Sequence, residues 1–147
     1  MNSDRERRTA GRVSAEWRDA RGDQALPPLT SLGLAQAAAD WHDRFLIRSD
    51  GHMPSAVFIV CGDTLRSDWD MERLGRNLKD ALPDGLRQRF AEACQQALAK
   101  GAPVHVEGGY HDPDLRPVLF RCVMLPVQVP NKVGYYIYGG YSQKTAA

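Results

Sequence analysis

The stretch VHVEGGYHDPDLRPVLFRCVMLPVQVPNKVGYYIYGGYS, residues 104–142, decides the fold. Three runs within it, Val104 to Tyr110, Val118 to Val127 and Val133 to Ser142, are rich in β-branched and aromatic side chains, which suit a pleated surface. The turn formers His111-Asp112-Pro113-Asp114 and Pro130-Asn131-Lys132 separate them. Connections this short cannot cross over a sheet, so the three runs are predicted as an antiparallel meander. In the last run Tyr135, Ile137 and Tyr141 alternate with Tyr136 and Tyr138. Both faces of that strand are aromatic, and both need a cover.

Upstream, Leu86, Phe90, Cys94, Ala97 and Leu98 fall on one helical face, between the Pro83-Asp84-Gly85 reset and the Lys100-Gly101 stop. This predicts a long helix over 84–100. Residues 64–82 carry scattered apolar positions with Gly75 interrupting, which suggests short helices or turns. Ser55 to Cys61 and Arg44 to Arg48 read as two strands joined through Asp50-Gly51. Before them, Leu34, Ala38, Trp41 and Phe45 form one helical stripe behind the N-cap residues Thr30 and Ser31, predicting a helix from about 32 to 43. That helix is expected to cover the second sheet face, either in cis or exchanged within a homodimer. With no repeated βαβ unit, the order indicates an α+β domain: one five-stranded antiparallel sheet with helices packed on one face. The chain divides into a flexible tail (1–30), an N-terminal capping or dimerisation helix (31–43) and a core domain (44–147).

Composition narrows the class. The chain has 147 residues, 19 Lys+Arg against 18 Asp+Glu, 43% hydrophobic and 25% charged residues, which fits one globular domain without a nucleic-acid or membrane footprint. Residues 1–30 hold six arginines, five acids and few large apolar side chains, the composition of a solvated tail. Cys61, Cys94 and Cys122 form no CxxC pair and no even-numbered disulfide framework, which points to a reducing, cytoplasmic setting. The polar amino terminus has no signal-peptide core, and the longest apolar run, Ala56 to Cys61, is far short of the roughly 20 residues a bilayer span needs.

The passage Glu72-Arg73-Leu74-Gly75-Arg76-Asn77-Leu78-Lys79-Asp80-Ala81-Leu82-Pro83 resembles the E-x-L-G-R-x-L-x-D-x-L-P segment of PAS sensor domains. Behind it come a helix ending in Ala-Leu-Ala-Lys-Gly-Ala-Pro-Val, a strand bearing Glu107 and a penultimate strand closing on Leu125-Pro126-Val127, each similar to the family's pattern. The resemblance covers about residues 41–143 and is to a bacterial stand-alone sensor or signalling domain. It implies a PAS-like (profilin-like) sheet of strand order 2-1-5-4-3, with a ligand cleft between sheet and long helix.

For that cleft the candidate lining is Phe90, Cys94, Ala97, Val106, Phe120, Cys122, Met124 and Ile137, which is equally the composition of a packed core. Arg121, the one charge inside its apolar run, is the candidate anion contact. No cysteine occurs in residues 62–83, which disfavours flavin-cysteinyl adduct chemistry, and no histidine occurs in 84–100, where the commoner haem-binding relatives carry their axial ligand. His105 paired with Met124 is the remaining haem-ligand candidate; no cofactor and no metal is predicted. His42, next to Trp41, reads as a helix-face histidine and His52 as a turn residue. An isomerase-like enzyme built on Asp40 and His42 is the third reading, weakened because residues two apart on a helix point away from each other. No output domain is expected after the core. A signal is therefore expected to leave through a surface that docks on an effector protein, and a homodimer is expected through Leu34, Ala38, Trp41 and Phe45.

Overall fold

The computed structural model describes residues 14, 15, 17–19, 21, 22, 43–50, 56–69, 82–112, 114–128 and 134–145. Residues 32–42 of the helix predicted over 32–43, with Leu34, Ala38 and Trp41, and residues 72–81 of the motif spanning 72–83 lie outside them. Five strands, β1 (Arg44–Ser49), β2 (Val57–Cys61), β3 (Val104–His111), β4 (Pro117–Val127) and β5 (Tyr135–Thr145), form one antiparallel sheet. Its order is β2-β1-β5-β4-β3, as the resemblance implies. Among the described residues, two helices lie between β2 and β3: α1 (Asp63–Asp68) and the long α2 (Asp84–Lys100).

Alternation along the strands sends one set of side chains toward α2 and the other away from it. The inward set comprises Phe45 and Ile47 of β1, Phe58 of β2, Val104 and Tyr110 of β3, Val118, Phe120, Cys122 and Met124 of β4, and Ile137 and Tyr141 of β5. Leu86, Phe90, Ala93, Cys94 and Ala97 of α2 close over them, so the helical stripe legible in the sequence is the face that packs. Lys100 ends α2, and Gly101 follows at φ 61°, a left-handed value that glycine adopts without Cβ strain.

Phe45 corrects one expectation. Its spacing from Trp41 made it a candidate for the covering stripe, although it also falls in the run Arg44 to Arg48 read as a strand; it belongs to β1 and is fully buried in the core beside Phe58, Trp69 and Phe90. A residue spaced four from Trp41 can equally lie on a strand's inward face. The Phe45 ring lies over Gly139, its partner on β5, where an added Cβ would collide with the ring and stand 2.6 Å from the Val123 carbonyl oxygen. Replacing Gly139 with Ala is therefore expected to destabilise the fold by about 1–3 kcal/mol through overpacking, read as a lower urea midpoint.

Candidate functional site

The space between α2 and the sheet is filled by rings. Trp69, directly after α1, stands 4.9 Å from Tyr141, 5.5 Å from Phe58 and 5.6 Å from Phe90, centroid to centroid. Tyr141 in turn stacks on Phe120 at 5.7 Å and 17°. These separations lie within the range over which aromatic pairs attract by offset or edge-to-face contact. The expected lining residues Phe90, Cys94, Ala97, Phe120, Cys122, Met124 and Ile137 do come together here, fully buried, with Val106 partly buried against them.

Among the described residues, side-chain oxygen and nitrogen atoms gather at one place in this interior. The Tyr110 and Tyr141 hydroxyls both donate to Gln143 Oε1, at 3.1 and 2.7 Å. Burial and the neighbouring Tyr110 push the Tyr141 phenol far above its ordinary pKa, and burial raises that of Tyr110, so both remain donors at any physiological pH. The Trp69 indole N–H faces this group with no hydrogen bond of its own among the described residues. Burial pushes the Cys61 and Cys94 thiols up to about 12 and raises Cys122 well above the usual range, Cys94 adding to the effect. All three cysteines are free, buried and held as thiols.

Two sequence candidates fall elsewhere. His105 alternates with the inward-facing Val104 and Val106, so it lies on the outer face, exposed, with Ser14 Oγ 3.4 Å from its Nε2. Partial burial and the Arg18 guanidinium lower its pKa. Met124 pairs with Val104 and faces the core, so His105 and Met124 stand on opposite sides of the sheet and cannot share a haem iron. The haem arrangement does not fit: no described histidine faces the cleft, and rings occupy its interior. Arg121 is also on the outer face, directly opposite Glu107 on β3, and its Nε is 3.2 Å from Glu107 Oε2. It is a cross-strand ion pair, not the anion contact of the cleft.

The outer face is itself apolar. Leu46, Tyr138 and Leu125 form one row across β1, β5 and β4, and all three are buried, as are Val123, Val127 and Tyr136. Arg44 Nη1 donates to the Tyr138 hydroxyl at 2.8 Å. A cover comes from residues expected to be tail. Residues 14, 15, 17–19 and 21 are helical, Trp17 is only 1% exposed, and its Nε1 donates to the Pro126 carbonyl at 2.6 Å. The Arg21 guanidinium lies 5.2 Å over the Trp17 ring. Ser14, Trp17 and Arg21 stand at spacings of three and four, a helical stripe that the surrounding arginines and acids obscure in the sequence.

The described residues hold no cluster of histidine, cysteine and acidic side chains able to bind a metal, and none of their helices is long and apolar enough to cross a membrane. The PAS fold family matches residues 62–139, more than half of the chain, and the protein belongs to that family. Among solved structures, the PAS domain of Bordetella pertussis BvgS is similar with a TM-score of 0.57 and 14% identity, over 80% of this chain and 88% of that one. A PAS domain from a two-component sensor histidine kinase is similar with a TM-score of 0.51 and 14% identity, over 78% and 99%. At such identities the likeness is one of fold. No curated protein sequence matches the chain.

Two outcomes follow from this geometry. Replacing Trp17 with Ala is expected to cost about 3 kcal/mol and to open the outer face to a hydrophobic dye, and an unchanged denaturation midpoint would show that the cover rests on other residues. With pKa values of about 12, Cys61 and Cys94 expose a thiolate fraction on the order of 10⁻⁴ at pH 8, so iodoacetamide is expected to spare them in the folded protein and label all three cysteines after unfolding.

Proposed function

We propose that this PAS domain is a signalling module that acts through protein–protein contact, without a resident cofactor and without catalysis. The observation that carries the reading is the ring-filled interior: Trp69, Tyr141, Phe90 and Phe120 occupy the region between α2 and the sheet that a cofactor would need. A haem sensor would need an inward histidine, and the described inward faces supply none. An isomerase-like enzyme would need an acid/base pair in the cleft, whereas the polar atoms described there are two tyrosine hydroxyls, an indole N–H and a half-buried amide. The proposed acid/base residues Asp40 and His42 lie outside the described residues.

The signal is then relayed by the surface to an effector protein. A homodimer formed on the outer side of the sheet is part of the same proposal: Leu119 on that side remains 47% exposed although the centre of the face is buried. Three free thiols favour the cytoplasm as the compartment. A small molecule sensed in the cleft would have to displace rings, with the Tyr110, Tyr141 and Trp69 donors as its polar anchors.

The purified chain is expected to show no visible absorption band, to release no organic molecule in denaturing mass spectrometry, and to scatter light as a dimer. A visible band or a released molecule would replace this reading with that of a cofactor-bearing sensor. A monomeric mass that deletion of residues 1–43 leaves monomeric would remove the homodimer from it.

A further inference from the structure

The two edges of the sheet are built differently. At one edge β2 has five residues, and its pairing with β1 shifts register between Leu46 and Ile47. A short strand and an irregular ladder both blunt an edge against further pairing. At the other edge β3 has eight residues, neither lysine nor proline, and an unbroken register along β4 from the Val104–Met124 pair to the His111–Pro117 pair. In the same register the Asp112 N–H donates to the Arg116 carbonyl at 3.0 Å, so at steps of two Tyr110, Gly108, Val106 and Val104 turn their backbone N–H and C=O toward β4. His105, Glu107, Gly109 and His111 turn theirs outward, where no described group bonds them.

Two copies of β3 laid antiparallel about a twofold axis at Gly109 match three of these four residues: Gly109 faces the partner's Gly109, and Glu107 faces the partner's His111. Such pairs exchange about six N–H···O bonds. The Glu107 side chain is 72% exposed although Arg121 holds its Oε2, and His111 is exposed as well. An imidazole N–H opposite a carboxylate is a complementary cross-strand pair, and the axis makes it twice. Leu119 leans over bare Gly109, its Cδ2 3.3 Å from where a Cβ would stand, and it is 47% exposed. At a glycine–glycine crossing the Leu119 side chains of both copies border the axis, which withdraws their apolar surface from water.

We propose that the β3 edge binds a second copy of this chain, pairing Glu107 to His111 antiparallel across Gly109 and joining two five-stranded sheets into one. The proposal rests on the homodimer reading above and moves the contact from the outer face to the edge. A second copy is favoured over an unrelated extended segment because the outward backbone groups, the carboxylate–imidazole pairs and the glycine centre all satisfy one twofold axis.

The test is amide hydrogen exchange of the isotope-labelled full chain, followed by NMR, with light scattering on the same samples. The expected result is a dimer in which the outward amides of Glu107, Gly109 and His111 are protected at least about tenfold over the monomer reached by dilution, while Val106, Gly108 and Tyr110, bonded to β4, are protected in both. His111→Asp puts a like charge opposite Glu107 at both ends of the pairing and is expected to weaken association about tenfold; its site is exposed, so the fold is kept. A dimer whose outward amides exchange freely, or one that His111→Asp leaves unweakened, overturns the edge contact and leaves the homodimer to the outer face. A monomer at every concentration overturns the edge contact and the homodimer together.

Discussion

The architecture depends on a strand that is apolar on both faces at the middle of a sheet. In β5, Tyr136, Ile137, Tyr138 and Tyr141 are all buried, and the strand is paired on one side with β1 and on the other with β4. A two-faced aromatic strand cannot be left at a surface, because each large ring left in water forgoes about 1.5–3 kcal/mol of transfer free energy. The fold therefore needs two covers. The long helix α2 supplies one, and on the other side helical residues around Trp17 supply part of the second.

The two sides of the sheet are built differently. The inner side is almost wholly rings and small or soft residues, with its few polar atoms drawn together around Gln143. The outer side combines a buried apolar row with charged groups that find partners within the protein: Arg44 with Tyr138, Arg121 with Glu107, and His105 beside Ser14. This contrast accounts for where recognition is proposed. The interior is dense, so a partner meets the domain at a surface.

Much of the fold was legible along the chain. The helix over 84–100 and the three terminal strands were readable because helical and strand periodicities differ and the turn residues between them are distinctive. The inward lining residues were readable for the same reason, since alternation along β4 places Phe120, Cys122 and Met124 together. Phe45 carries two signals, a spacing of four from Trp41 and a place in the run Arg44 to Arg48, and its burial among the core rings shows that the strand signal holds. Trp17 was missed because six arginines and five acids in the first 30 residues outweigh one tryptophan in any compositional reading.

The sequence by itself determined the order of the five strands and the long helix, the apolar face of that helix and the family, because those follow from local periodicity and from motifs short enough to read. Only the tertiary structure decided which side of the sheet each residue serves. His105 and Met124 look like a ligand pair until the register of β3 on β4 puts them on opposite faces, and Arg121 looks like a cleft charge until the same register places it over Glu107. Arg89 carried no signal in the sequence: its place on Phe120 requires α2, β3 and β4 to meet, and requires a glycine 19 residues away to leave the space empty. Contacts between residues distant in sequence are set by packing, and packing is a property of the assembled chain.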